Sequence, residues 1–176
     1  MRKNEHGGEC MTLQETPTDK DECPTPQYVF NYLDQIFHFE LDPCATHENA
    51  KCKKYFTKEE DGLKQPWHGP VFVNPPYNRS VIGLWLKKAV EYANRGGIVV
   101  AVLPARTDNQ WWNTYVIQAT EIWFVVGRIS FEGYENGAKF PTAIAIFGTQ
   151  KYPRISNIVI VDPNKTVKEK RKKVIE

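Results

Sequence analysis

Asn74-Pro75-Pro76-Tyr77 is the tetrapeptide of this chain best suited to chemistry. Two consecutive prolines fix two φ angles and remove two backbone donors, so the carbonyls around them are held in set directions. The Asn74 side-chain oxygen and the Pro75 carbonyl can together accept both hydrogens of a planar exocyclic amine, with Pro76 as a rigid spacer. Such an amine is a poor nucleophile because its lone pair is delocalised into the ring. Two fixed acceptors return electron density to the nitrogen and favour tetrahedral geometry. In preorganised electrostatics of this kind one well-aimed group is worth about 3 kcal/mol. Tyr77 adds a flat face for a heterocycle, where stacking is worth roughly 1–3 kcal/mol per base. An ordinary Asn-Pro turn is the competing explanation. Val71-Phe72-Val73 before the box and a helical pattern after it place it instead at the carboxyl end of a strand.

A second constellation, Leu41-Asp42-Pro43-Cys44-Ala45, ends an earlier strand. An acid there can hold the ammonium group of a ligand, and small residues let a nucleoside approach the backbone. Cys44, His47 and Cys52 lie close in sequence, but their spacing matches no standard zinc pattern and a fourth ligand is missing, so no metal site is expected.

The elements that must position these residues alternate. Thr25-Pro26 has the form of an N-cap followed by proline at the first helical position. Tyr28, Val29, Tyr32, Leu33, Ile36 and Phe37 then recur at helical spacing. Strands are predicted at Phe39–Pro43, Tyr55–Thr57, Val71–Val73, Ile98–Leu103, Ile122–Val126 and Thr142–Phe147, with a late one at Ile158–Val161. Leu84, Trp85, Lys88, Ala89 and Tyr92 mark an amphipathic helix stopped by Gly96-Gly97, and Asp108 is placed to cap another over Gln110–Ala119. Lys87, Lys88 and Arg95 read as the solvated face of the helix that Gly96-Gly97 stops. Strands alternating with helices predict an α/β fold, a mainly parallel sheet with helices on both faces. Ligands of such sheets bind beyond the carboxyl ends of the strands, where Asp42, Asn74 and Pro104–Thr107 fall.

Composition sets the outer bounds. The chain's 176 residues, 41% hydrophobic and 25% charged, suit one globular domain. Lys and Arg number 23 against 21 Asp and Glu, and the last twelve residues carry six bases against two acids. We therefore expect a flexible arm over 1–22, a folded domain over 23–164 and a basic tail over 165–176. Four cysteines without a CxxC pair read as reduced thiols. The longest apolar run, Ile98–Ala105, contains Pro104 and is too short to span a bilayer. With no signal-peptide pattern at the N-terminus, a soluble cytoplasmic protein without membrane attachment is expected.

Leu41 to Ala45 resembles the first motif of class I S-adenosylmethionine-dependent methyltransferases, and Asn74 to Tyr77 resembles the catalytic box of the amino-methyltransferases. The wider order adds Thr25-Pro26, Tyr55-Phe56-Thr57, Asp61-Gly62-Leu63, Trp67, Leu103-Pro104-Ala105 and Gly127-Arg128. Over roughly residues 22–148 it is similar to the phage-type N6-adenine DNA methyltransferase family. The resemblance implies a Rossmann-like sheet with an antiparallel last strand, S-adenosylmethionine as methyl donor, DNA as partner, and action in the cytoplasm of a bacterial host. It puts Asp42, Cys44 and Ala45 at the methionine end of the cofactor, with Thr25 and Pro26 beside it and Asp61 on the ribose or the base. It assigns Asn74, Pro75, Pro76 and Tyr77 to the target amine. Arg128 is placed to reach a phosphate and Phe131 to stack on the flipped base, against the plainer roles of surface ion pair and core residue.

Two features depart from the family pattern. Thr46-His47-Glu48 stands in place of a glycine-rich turn, and only twenty-seven residues separate Cys44 from Phe72. Glu59, Glu60 and Asp61 therefore compete for the ribose, and any target reading falls to loops such as Arg106–Trp112 and Arg128–Phe140, or to a partner. Other acceptors with the same chemistry are cytosine N4, guanine N2 in RNA and protein glutamine. A catalytically silent DNA-binding module is the alternative of a different class.

Overall fold

A computed structural model describes residues 23–130, 140–148 and 154–162. The arm over 1–22, the tail over 165–176 and Phe131 lie outside the described residues. In chain order the elements are α1 (Gln27–Phe37), β1 (Leu41–Asp42), β2 (Lys54–Tyr55), β3 (Pro70–Val73), α2 (Arg79–Ala93), β4 (Ile98–Pro104), α3 (Gln110–Thr114), β5 (Glu121–Val125), β6 (Thr142–Phe147) and β7 (Arg154–Ile158). The strands form one seven-stranded sheet in the order β2-β1-β3-β4-β6-β5-β7.

The apolar run at Ile98 becomes the central strand because every residue from Val99 to Pro104 is buried on one face or the other. Its partners β3 and β6 are almost as fully buried, as expected where helices cover both faces. Neighbouring strands are parallel except β6, which runs antiparallel to both β4 and β5. The antiparallel last strand of the expected fold is β6, and β7 follows it as an edge addition parallel to β5.

Aromatic contacts assign the helices to faces. Trp123 meets Phe37 of α1, whereas the adjacent Phe124 stacks on Trp112 of α3. Successive strand residues point to opposite faces, so α1 and α3 lie on opposite sides of the sheet. Gly83 of α2 lies against Trp111 and Tyr115, which places α2 beside α3. On the other side Phe30 of α1 packs edge-on against Phe72 of β3.

Local chemistry moved several predicted boundaries. The first strand is confined to Leu41–Asp42, because Pro43 cannot donate to a ladder and Phe39 turns its ring toward Phe30, Phe37 and Phe72. The helix predicted to run to Ala119 stops at Thr114 and tightens into a 3-10 turn at Val116–Gln118. The run of β-branched and aromatic residues from Thr114 to Ile117 accounts for the break. The late strand lies at Arg154–Ile158 and not at Ile158–Val161. Its register is set by β5, which ends at Val125 before Gly127 turns the chain away with a φ of 82°. Beyond Ile158 the β-branched run therefore meets no partner on β5. Among the described residues no helix is long and apolar enough to cross a membrane.

Candidate active site

Asn78 fixes the box at the junction of β3 and α2. Its side-chain oxygen accepts from the Ser80 backbone N–H (2.9 Å) and the Ser80 hydroxyl (2.7 Å), capping α2 one residue after Tyr77. The helix thus begins five residues before the periodic pattern suggests. Asn74 is held from two sides: its Nδ2 donates to the Cys23 carbonyl (2.7 Å), and its Oδ1 accepts from the Tyr77 hydroxyl (2.9 Å). The Cys23 contact assigns the amide orientation, since a carbonyl must face the NH2 group. Oδ1 keeps a second lone pair.

Asn74, Pro75 and Pro76 line a cavity of about 480 Å³ at the carboxyl ends of β1 and β3. Thr25, Asp42, Cys44, Ala45 and Asp61 line the same cavity, so the two sequence constellations share one site. That volume suits a small-molecule ligand.

The turn after β1 is tied down by backbone pairing. The Phe56 N–H donates to the Asp42 carbonyl (3.0 Å), and the Ala45 N–H to the Phe56 carbonyl (3.1 Å). The Asp42 carboxylate accepts from the backbone N–H of Lys51 (3.1 Å) and of Cys44 (3.4 Å). Although Asp42 is only 3% exposed, no side-chain cation neutralises it at hydrogen-bond distance among these contacts. Burial pushes its carboxyl up to about 6, against the pull of the two N–H groups and the Lys51 charge. The same burial, with Asp42 and Asp34 nearby, raises the Cys52 thiol to about 12, which makes it a poor nucleophile.

Thr25 does not cap α1. Pro26 is the capping residue, and its carbonyl accepts from Val29 (3.0 Å) and Phe30 (3.2 Å). The Thr25 hydroxyl, 1% exposed, has no hydrogen-bond partner among the described residues. A buried carboxylate and an orphaned buried hydroxyl in one cavity ask for a ligand that brings a cation and a hydrogen-bond acceptor. A zwitterionic amino-acid group fits that demand.

A further wall comes from the turn at Asp61–Leu63. Gly62 lies so close to Pro43 that an added Cβ would strike the Pro43 carbonyl. Of the three competing acids, Asp61 lines the cavity, whereas Glu60 turns back to accept from the Thr57 N–H (2.9 Å). Asp61 itself pairs with Lys64 (2.9 Å) and accepts from the Leu63 N–H (3.2 Å). Those bonds, the Lys64 contact first, hold its carboxyl below the ordinary value.

Phe131 is outside the described residues, and three other predicted residues are not on the cavity wall. Pro26 is buried at the start of α1. Arg128 is exposed, on a segment that passes α1, where the Ser130 backbone hydrogen-bonds the Tyr28 hydroxyl. Tyr77 sits behind Asn74, 4% exposed, with its ring edge-to-face against Phe140 at 5.4 Å. Its hydroxyl is committed to Asn74, and burial raises it well above the usual phenol value. Sequence reading missed Cys23, which meets Asn74 across fifty-one positions and carries no local signal. It also missed Asn78, although an asparagine directly before a helical segment is a recognisable cap. Asn49 and Lys51 line the cavity too. They follow Thr46-His47-Glu48, which stands in place of a glycine-rich turn.

Comparison with known proteins agrees with this geometry. The family model described as DNA N-6-adenine-methyltransferase (Dam) matches residues 13–171. A DNA N-6-adenine-methyltransferase of Haemophilus phage HP1 (strain HP1c1) is 33% identical over 132 residues, 72% of this chain and 76% of the relative. One of Escherichia phage T1 is 33% identical over 106 residues, which cover 58% of this chain and 44% of that longer protein. A putative methyltransferase YfdM of Escherichia coli (strain K12) is 35% identical over 65 residues, 32% of this chain and 71% of the relative. A match of that extent, on a chain whose first motif and Asn-Pro-Pro-Tyr box meet at one cavity, makes this protein a member of the DNA N-6-adenine-methyltransferase (Dam) family.

Proposed function

We propose that the protein transfers a methyl group from S-adenosylmethionine to N6 of adenine in DNA. The observation that carries this reading is the shared cavity, where a locked amide oxygen and a buried carboxylate meet. S-adenosylmethionine supplies an electrophilic methyl on a sulfonium and an amino-acid group. Asp42 takes the ammonium of that group and Thr25 donates its hydroxyl proton to an acceptor. Cys44 and Ala45 border the same end, and Asp61 is placed for the ribose or the base. Such a pairing relieves both defects of the unliganded cavity, the ionised buried carboxylate and the orphaned hydroxyl.

Asn74 Oδ1 and the Pro75 carbonyl hold the two hydrogens of the target amine. Their fixed dipoles stabilise positive charge growing on the nitrogen, without reorganisation at the moment of reaction. To reach them the adenine leaves the duplex stack, at a cost of a few kcal/mol. An ammonium on an aromatic ring is strongly acidic, so its proton passes to water with no assigned base. Tyr77 contributes by orienting Asn74; its ring is buried beside Phe140, so stacking of the base on it requires its neighbours to move.

Tritiated methyl transfer to DNA, RNA and protein tests the reading, followed by nucleoside analysis for N6-methyladenine. Label confined to RNA or protein, or recovered as N4-methylcytosine, overturns the assignment of the acceptor. No binding of S-adenosylmethionine at millimolar concentration favours the silent DNA-binding module instead. Thr25→Val gives a finer check. It removes an unpaired buried hydroxyl at almost unchanged volume, so thermal unfolding of the unliganded protein should occur no lower than in wild type. Calorimetry should show S-adenosylmethionine affinity weakened about fivefold, the value of one hydrogen bond. Unchanged affinity removes Thr25 from the site.

A further inference from the structure

Lys88 has contacts that neither the fold nor the transfer reaction accounts for. The sequence places it on a solvated helix face, yet its ammonium is drawn inward to a loop. Nζ donates to the carbonyls of Gly62 (3.0 Å), Leu63 (2.7 Å) and Gln65 (2.6 Å). An ammonium has three protons, and three acceptors match them. It also lies 5.0 Å from the centre of the Trp67 ring, an attractive cation–π arrangement. The Trp67 indole N–H donates to the same Gly62 carbonyl (2.9 Å), so that oxygen is gripped twice. The adjacent Lys87 behaves as a surface lysine should, exposed and 3.9 Å from Glu91.

The loop held in this way is the wall of the cavity. Gly62 and Leu63 line it together with Asp61, and the Gly62 backbone presses on Pro43, directly after Asp42. A turn of successive carbonyls has no ladder to satisfy it and would otherwise be hydrated and mobile. Converging its oxygens on one cation fixes the backbone without a strand or a helix. Loss of the cation leaves the Leu63 and Gln65 carbonyls to find other donors and the Gly62 carbonyl with Trp67 alone, and the wall loosens where the ligand must meet it. A wall ordered in advance spares a ligand the entropy of ordering it on binding.

We propose that Lys88 is a positioning residue that preforms the 61–63 wall of the cofactor site, contributing to S-adenosylmethionine affinity and not to the methyl-transfer step. The inference rests on the cavity being the S-adenosylmethionine site. Lys88→Met keeps the aliphatic stem and removes the ammonium. Calorimetry with S-adenosylmethionine is expected to show Kd raised at least tenfold. Turnover at saturating S-adenosylmethionine and KM for DNA should stay within twofold of wild type. Lys88→Arg, whose guanidinium also donates to several carbonyls, should recover most of the affinity, and Lys87→Met should change nothing. If Lys88→Met does not fold, Lys88→Gln is read in its place, with an intermediate loss of affinity expected. Wild-type affinity in Lys88→Met or Lys88→Gln overturns the proposal. So does a fall in turnover for both substrates with S-adenosylmethionine affinity unchanged, the mark of general damage. Absence of S-adenosylmethionine binding by the wild-type chain would instead overturn the proposed function, so the two failures are distinguishable.

Discussion

Asn74→Ala is expected to reduce methyl transfer to DNA by about 100- to 1,000-fold, the scale seen when one preorganised oxygen or donor is removed from a reacting centre. S-adenosylmethionine affinity should stay within about threefold of wild type, because the variant leaves Asp42 and Thr25 in place. The loss has two parts. The acceptor of the target amine disappears, and so does the group that ties Tyr77 to the strand end and the Cys23 carbonyl to β3. Single-turnover measurement of N6-methyladenine with saturating S-adenosylmethionine isolates the first part. A variant with wild-type turnover would remove Asn74 from the mechanism, and one that loses donor binding would recast it as a scaffold for residues 23–25.

The second large effect is at Asp42. Asp42→Asn should weaken S-adenosylmethionine binding about 100-fold, as expected when a desolvated charge partner is replaced by a neutral group. The wild-type pH dependence has a definite sign. In the unliganded protein burial holds the carboxyl at about 6, above its ordinary 3.8. A cationic ligand prefers the ionised form, so affinity should be flat above pH 7 and fall as pH drops through 6, approaching tenfold per pH unit. In Asp42→Asn that fall should vanish. Stability runs the other way. A folded pKa raised above the unfolded one contributes stability that is full below 3.8 and lost as pH rises through about 6. Removing the charge therefore stabilises the unliganded protein at pH 8, by up to about 3 kcal/mol from the shift alone. The amide also faces two backbone N–H groups with one oxygen, which takes back about 1–2 kcal/mol. A variant that binds more weakly yet unfolds at a higher temperature at pH 8, and at a matching temperature near pH 4, carries the signature of a functional buried charge. A lower melting temperature at pH 8 would mean that Asp42 serves the fold.

The parts of this architecture with a strong periodic or apolar signature could be read directly. Ile98–Leu103 and Thr142–Phe147 are unbroken apolar or β-branched stretches, and both became buried strands. The box was locatable because two prolines after a strand leave few backbone options. What could not be read depends on contacts between distant positions. Nothing around Cys23 announces a bond to an asparagine fifty-one residues away. Lys88 matched the pattern of a solvated face because periodicity reports where a side chain starts, not where a long flexible one ends. Tyr77 shows a different limit. Its type offers a stacking surface, and only its burial beside Phe140 and the bond to Asn74 reveal that the ring is covered and its hydroxyl committed. The end of β7 was misplaced because its own residues do not determine it; the length of β5 does.

Asp61 has a φ of +54°, in the left-handed region that costs most L residues about 1 kcal/mol or more. This constrains how its chemistry can be interrogated. Alanine at 61 would combine a missing carboxylate with a backbone penalty, and a poor variant would be uninterpretable. Asparagine and glycine tolerate that geometry. Comparison of Asp61→Asn with Asp61→Gly therefore separates charge from side-chain bulk while the bend itself is preserved. The main chain thus limits which side chains position 61 accepts without strain, independently of any ligand.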